Sequence, residues 1–350
     1  MVSESLKVAV IGTGKWGVNH VRVLKKLSAE YNIELIVIDA DASRAREVAE
    51  MFSVEKYYSD PTHAYAVEKF DAAVISAPTP LHYRLAREFI EKTDLLIEKP
   101  MAVSVEEAAE IVELAEKYDR VVAVGHIERF NPVVIAAKEE VDKRVDQGEK
   151  FLGAFAERVG VKPIDTIKYL GAAYDLMVHD LDVVLYLTQR LPRAVQAVKY
   201  PSSGYEDEVY AMYSFDDATC VLYASRRAKM KRRNLRMQLL STFISIDYIL
   251  QDIVVIEGVH PSTVPPDYFK VLAAYQATRI FEKRLLRGEE TEPLLLEDRH
   301  FLDSVLNHRK PLVNEIDGYI SVKSIAKTLE AAEKGRAISI EWNEPFIPNR

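Results

Sequence analysis

Gly12-Thr13-Gly14-Lys15-Trp16-Gly17 stands at the boundary between two sequence patterns. Before it runs a short apolar stretch, Val8–Ile11. From Gly17 onward Val21, Leu24 and Leu27 recur at helical spacing. A GxGxxG that closes a strand and opens a helix is compatible with few folds. The first glycine permits a tight turn, the second lets backbone approach a diphosphate, and the third lets helix and strand pack closely. The helix N-terminus then offers free N–H groups and a partial positive charge to an anion. Asp39 ends the next apolar run, Glu34–Ile38, about 20 residues further on. A carboxylate there accepts hydrogen bonds from an adenosine ribose and repels a 2′-phosphate, so NAD is predicted over NADP. Arg44 nearby leaves the NADP alternative open. Lys15 and Trp16 are assigned to the cofactor, with a surface lysine and a packing tryptophan as the alternative.

The alternation continues beyond this motif. Ala42–Phe52 reads as a helix, Asp71–Ser76 as a third strand stopped by Pro78 and Pro80, and Leu81–Lys92 as a helix. Leu95–Glu98 is the next strand, Ser104 with Glu107 forms a capping box for a helix through Tyr118, and Val121–Gly125 closes the series. Wholly apolar strands separated by amphipathic helices predict a parallel sheet covered on both faces. After about residue 150 the texture changes. Phe151–Val161, Ala194–Tyr200, Glu206–Phe215, Ala218–Arg226 and Arg236–Ile246 read as antiparallel strands, with Asp216-Asp217 as a hairpin turn. Helical pattern occupies Tyr174–Leu187, Tyr268–Arg287, Glu297–Asn307 and Ser321–Lys334. The prediction is α/β followed by α+β: a Rossmann domain over 1–127 and a mostly antiparallel sheet domain over 128–350, with the last helices free to pack on either.

Charge and cysteine content narrow the partners. The 350 residues carry 46 Lys and Arg against 54 Asp and Glu, a net charge of -8. A protein that wraps a polyphosphate backbone usually has the opposite sign, so no nucleic acid partner is expected. The single cysteine, Cys220, allows no intramolecular disulfide and suits a reducing compartment. No stretch approaches the roughly 18 apolar residues that span a bilayer, and the N-terminus lacks a leader pattern. No membrane partner is expected, and the cytoplasm is the expected address.

Five motifs in order resemble the Gfo/Idh/MocA oxidoreductases: Gly12–Gly17, Ser76-Ala77-Pro78-Thr79-Pro80-Leu81-His82, Glu98-Lys99-Pro100, Arg129-Phe130-Asn131-Pro132, and Asp175-Leu176-Met177-Val178-His179-Asp180-Leu181-Asp182. The resemblance covers essentially the whole chain, including Asp317-Gly318 ahead of the last helix. Gly125-His126-Ile127-Glu128-Arg129 and Asp247-Tyr248-Ile249-Leu250-Gln251 are similar to the branch that contains UDP-N-acetylglucosamine 3-dehydrogenases. The resemblance implies that Ala77, Pro78 and Thr79 contact the cofactor. His82 and Glu98 are counted with them, although His82 also reads as a helix-start residue. It further implies a substrate between the Rossmann edge and one sheet face, and a homodimer or homotetramer through the other.

The chemistry can be argued from the residues themselves. Taking hydride from a secondary alcohol requires loss of the hydroxyl proton, so a base must stand beside the reacting carbon. An imidazole titrates near neutrality and suits that task. Asp175 and His179 lie four apart on a predicted helix and so share a face. There Asp175 can orient the ring and offset its charge after proton uptake. A helix-start aspartate and a satisfied structural histidine are the bland alternative. Lys99 follows a parallel strand at the carboxyl edge where open α/β sheets bind ligands. Its ammonium can stabilise alkoxide character on the reacting oxygen. His179, Asp180 and Asp182 have ligand-type side chains, but no accompanying ligand cluster points to a metal, and none is expected.

Substrate contacts are assigned to Lys99, Arg129, Arg158, Asp175 and His179, with Lys162, Lys168 and Tyr169 nearby. Arg226, Arg227, Lys229, Lys231, Arg232, Arg233 and Arg236 form a cationic run that either grips a diphosphate or is a solvated or inter-subunit surface. The leading expectation is NAD-linked oxidation of a sugar-like polyol, with UDP-N-acetylglucosamine oxidised at C3. A free cyclitol or monosaccharide dehydrogenase, or the reverse ketone reductase, is the alternative within the class. A non-catalytic NAD or sugar sensor is the alternative outside it.

Overall fold

The computed structural model describes residues 5–161, 170–201, 204–258, 267–276, 279–285 and 288–347. Lys162, Lys168 and Tyr169 lie outside the described residues. Two compact units are formed. One comprises Met1–Ile127 with Glu289–Lys323, the other Glu128–Gly288 with Ser324–Arg350.

The first unit begins β1 (Leu6–Ile11), α1 (Lys15–Tyr31), β2 (Ile33–Ile38), α2 (Ala42–Met51), β3 (Lys56–Tyr58), α3 (Pro61–Glu68) and β4 (Ala72–Ile75). It continues α4 (His82–Phe89), β5 (Asp94–Glu98), α5 (Val105–Lys117) and β6 (Val122–Gly125). The six strands are all parallel, in the order β3-β2-β1-β4-β5-β6. Strand order reverses between β1 and β4, and ligands of open parallel sheets bind beyond the strand ends at such a point. β4 and β5 are buried throughout, as their unbroken apolar runs require. Sequence reading misses β3 and α3, because three residues of Lys-Tyr-Tyr make no apolar run. Ser104 caps α5 by accepting from Glu107 N at 3.2 Å, while the Glu107 carboxylate accepts from Val103 N rather than from Ser104 N.

The second unit holds α6 (Pro132–Asp146), β7 (Phe151–Val161), a π-helical turn (Ala173–Met177), α7 (Val178–Thr188), β8 (Ala194–Pro201), β9 (Glu206–Ser214) and β10 (Thr219–Ser225). β11 (Arg227–Leu239), β12 (Thr242–Asp247), β13 (Asp252–Glu257), α8 (Tyr268–Gln276) and β14 (Arg279–Arg284) follow. Asp216-Asp217 is the turn between β9 and β10, closed by Phe215 N donating to Ala218 O at 2.9 Å. The predicted strand Arg236–Ile246 is instead the ends of two strands. They turn at Leu240-Ser241, which carries no Gly, Asn or Asp. The predicted helix over Tyr268–Arg287 ends at Gln276, and Arg279–Arg284 pairs with β13.

α9 (Pro293–Leu306) belongs to the first unit, where Leu294, Leu295, Phe301 and Leu302 join a core with Val21, Leu24 and Leu27 of α1. α10 (Glu315–Lys334) runs through the division at Lys323 and Ser324, and β15 (Ile338–Ser339) pairs with β8. The second sheet thus has nine strands in the order β14-β13-β12-β11-β7-β10-β9-β8-β15. β7 and β10 are parallel, and every other neighbouring pair is antiparallel. One face buries Val195, Ala211, Leu222, Ala156, Leu235 and Ile244. The opposite face exposes Val198, Tyr210, Met212 and Phe155. No described helix is long and apolar enough to cross a membrane.

Candidate active site

The glycine turn is fixed by close approach. Gly12 has φ +94° and donates to Ile38 O at 2.8 Å, and a Cβ added to it would lie 2.6 Å from Ala77 backbone atoms. A Cβ on Gly17 would lie 1.8 Å from the Gly12 carbonyl oxygen, so the third glycine is required by the α1–β1 contact. Gly14 differs: no atom lies within 4 Å of a Cβ placed there. It is the N-cap of α1, with no side-chain cap and no acidic residue in the first turn. An open cradle at an uncapped helix N-terminus suits a diphosphate. Asp39 follows β2 beside the turn. Its Oδ2 accepts from Thr13 N and Thr13 Oγ1 at 2.7 and 2.8 Å, and Oδ1 accepts from Asp41 N at 3.0 Å. Arg44 donates to Thr13 O at 3.2 Å and pairs with Glu47. These residues fit NAD. Lys15 and Trp16 are exposed beside the cradle, and Ala77, Pro78 and Thr79 follow β4 with their side chains partly or fully exposed.

Beyond β5 the picture departs from expectation at two residues. His82 is buried, with Nδ1 2.9 Å from Pro100 O and Nε2 2.7 Å from Ala77 O. Glu98 is buried, with Oε1 3.2 Å from His20 Nε2 and Oε2 accepting from Lys99 N at 3.1 Å. Both are expected at the cofactor, and these polar atoms are taken up by partners inside the protein. Burial pushes the Glu98 carboxyl up, but the hydrogen bond and charge of His20 outweigh it and hold the group below its usual range. Lys99 is half-buried at the strand end.

In the second unit, Asp175 lies in the π-helical turn immediately before α7. Such turns recur at functional sites. Four residues fall just short of one π turn and just beyond one α turn, so Asp175 and His179 remain neighbours in either geometry. Both are half-buried. The partner that sequence reasoning missed is Arg226, at the end of β10. Its Nη2 donates to Asp175 Oδ2 at 2.9 Å, to Leu170 O at 2.9 Å and to Gly171 O at 3.2 Å. The one available signal was its place next to the apolar strand Val221–Ser225, ahead of the exposed cations.

Arg129 and Arg158, assigned to substrate, are 4% and 1% exposed. Arg129 is bidentate to Asp182 at 2.9 and 2.6 Å. Arg158 is bidentate to Asp180 at 2.9 and 3.1 Å, donates to Glu128 at 2.8 Å and covers the Tyr248 ring at 4.9 Å. Burial lowers the Arg158 pKa, but Asp180 and Glu128 more than restore it. Both guanidiniums thus hold carboxylates of α7, Asp180 and Asp182, just after His179. Of the cationic run, Arg227 pairs with Glu208 and Arg236 lies over the Phe155 ring, while Lys229, Lys231 and Arg232 are exposed. Arg233 is held below its usual pKa by burial and by Arg158. Among the described residues, the grouping with metal-ligand spacing is His20, Glu297 and Asp298, not His179 with its aspartates.

Comparison with known proteins agrees with this fold. Residues 6–126 match the oxidoreductase family model with an NAD-binding Rossmann fold, and residues 164–245 match the GFO/IDH/MocA C-terminal domain. The chain is 24% identical to scyllo-inositol 2-dehydrogenase (NAD(+)) of Bacillus subtilis, over 99% of each chain. It is 29% identical to UDP-N-acetylglucosamine 3-dehydrogenase of Acidithiobacillus ferrooxidans, over 70% of this chain and 74% of the relative. In fold it is similar to a levoglucosan dehydrogenase solved with NADH and levoglucosan, with TM-score 0.84, 18% identity and coverage of 97% and 100%.

Proposed function

The chain belongs to the GFO/IDH/MocA family and is an NAD-dependent dehydrogenase of the sugar and cyclitol class, and from that premise we propose that it oxidises a nucleotide sugar, UDP-N-acetylglucosamine at C3. The observation that carries the reading is the Arg226–Asp175 pair in the π turn ahead of His179. NAD, when bound, supplies the hydride acceptor. His179 takes the hydroxyl proton at a ring nitrogen as the carbon is oxidised. Asp175, its carboxylate oriented by Arg226, offsets the positive charge that the ring acquires. Lys99 donates a hydrogen bond to the oxygen and stabilises its alkoxide character. The glycine turn and Asp39 bind the dinucleotide, with Lys15, Trp16, Ala77, Pro78 and Thr79 beside it. Membership of this dehydrogenase class sets the non-catalytic sensor alternative aside.

The nucleotide-sugar assignment rests on the exposed cations of β11, Lys229, Lys231 and Arg232, and on the likeness to a relative of that activity. A free cyclitol is the second reading, favoured by the end-to-end match to an inositol dehydrogenase. The open sheet face carrying Val198, Tyr210 and Met212 supports a homo-oligomer, and the lone buried cysteine supports a cytoplasmic address. NADH formation measured with UDP-N-acetylglucosamine, scyllo-inositol and myo-inositol in parallel tests the reading. Turnover of the nucleotide sugar at the highest kcat/KM is the expected result. A preference for either free inositol overturns the nucleotide-sugar assignment.

A further inference from the structure

We propose that His20 and His82, two buried histidines outside the reaction itself, are positioning residues for Lys99, each holding the residue on one side of it; the proposal rests on the role given above to Lys99. His20 stands on α1, three residues after the glycine turn, and is fully buried. Its Nδ1 lies 2.8 Å from Asp298 Oδ1 on α9, and its Nε2 lies 3.2 Å from Glu98 Oε1. The other oxygen of Glu98 accepts the backbone N–H of Lys99. β6 leaves room for this carboxylate, since a Cβ at Gly125 would come within 3.1 Å of Glu98 Oε2. A chain of contacts therefore runs from α9 through His20 and Glu98 to the Lys99 backbone. His82 acts from the other side. It lies between Pro100 O, just after Lys99, and Ala77 O, in the turn after β4, and a neutral imidazole donates to one of these carbonyls. The residues before and after Lys99 are thus each fixed by an imidazole that is itself anchored on a different element.

Burying this many charges costs stability. Apolar residues of similar volume at His20, Glu98 and Asp298 would pack the same space at no electrostatic cost. An ionic cluster here is explained by what it holds in place. Nor is it a metal site. His20, Glu297 and Asp298 have their ligand atoms within 4.8 Å of one another, but both ring nitrogens of His20 already face carboxylates.

The test uses the full chain with its lysines 13C-dimethylated, the Lys99 resonance being assigned by its loss in Lys99→Arg. The expected result is that His20→Asn and His82→Leu shift or broaden that resonance, and that His82→Gln, which keeps a donor, restores it. Asp298→Asn gives the same readout from the far end of the chain of contacts should His20→Asn fail to fold. In turnover, His20→Asn is expected to lower kcat roughly 10²-fold in the wild-type background. On Lys99→Met the same change should cost less than about twofold, because the two act as one unit. A Lys99 resonance that stays put in folded variants, or an equal loss on both backgrounds, overturns the proposal. Full activity in Lys99→Met alone would instead remove the role given to Lys99, while the resonance still reports whether the histidines hold it.

Discussion

Arg226 and Asp175 are joined by one charged hydrogen bond of 2.9 Å, and the arginine side chain is 3% exposed while the aspartate side chain is 22% exposed. The carboxylate is thus held from inside the protein while part of it stays accessible. The same guanidinium nitrogen holds Leu170 O and Gly171 O, so it fixes the entry to the π turn as well as the acid within it.

Arg226→Lys keeps the charge but replaces the planar guanidinium whose Nη2 meets all three oxygens with a differently placed ammonium. Its kcat is expected to fall roughly tenfold or more through misplacement of Asp175, with NAD affinity unchanged. Steady-state kinetics beside an NADH fluorescence titration check both halves. A loss confined to KM for NAD would contradict the placement of Arg226 with the acid.

The glycines of the turn are separable by experiment. Gly14→Ala meets no neighbour, so its Tm should match the wild type, yet NAD binding should weaken roughly tenfold because the methyl group enters the diphosphate cradle. Gly17→Ala collides with the Gly12 carbonyl and should lower Tm as well as affinity. Thermal unfolding and cofactor titration on both variants decide this, and equal behaviour of the two would contradict the cradle.

Asp39→Asn removes the charge that repels a 2′-phosphate but can still accept from Thr13. The ratio of kcat/KM for NAD over NADP should drop roughly tenfold, an energy of about 1.4 kcal/mol. Arg44, already beside Thr13 O, is placed to favour the change.

The His20 cluster has a pH signature. Burial pulls the pKa down, but Asp298 and Glu98 hold it well above the ordinary value. A folded-state value above the unfolded one stabilises the protein fully below about pH 6.5. That contribution disappears as pH rises toward the folded value. The groups facing the ring are Asp298, Glu98 and neighbouring Glu297, with Lys99 beyond Glu98. The Tm gap between wild type and His20→Asn should therefore be widest near pH 6 and narrow at alkaline pH. A gap that widens with rising pH would reverse the sign of the argument.

The fold was largely legible because its signals are local. An apolar run, a glycine turn and a helical repeat each need only ten to fifteen residues to be seen, and β1, α1, β2 and β5 emerge that way. β3 is three residues long and shows no apolar pattern. The split of β11 from β12 rests on a Leu240-Ser241 turn that only the facing strands impose. At the proposed site, Asp175, His179 and Lys99 stand in motifs, as do His82 and Glu98, whereas Arg226, His20 and Asp298 do not. Arg226 reaches Asp175 across 51 residues of sequence and Asp298 reaches His20 across 278. Arg129 and Arg158 show a related limit. Sequence shows a cation near a motif but not the buried carboxylate that neutralises it.

The account depends on His179 as the group that receives the hydroxyl proton. The most direct measurement is NADH formation at saturating NAD by His179→Asn beside the wild type, with whichever of UDP-N-acetylglucosamine and scyllo-inositol the wild type turns over. A loss of kcat of about 10²–10⁴-fold with NADH affinity intact is predicted. Turnover equal to the wild type would contradict it.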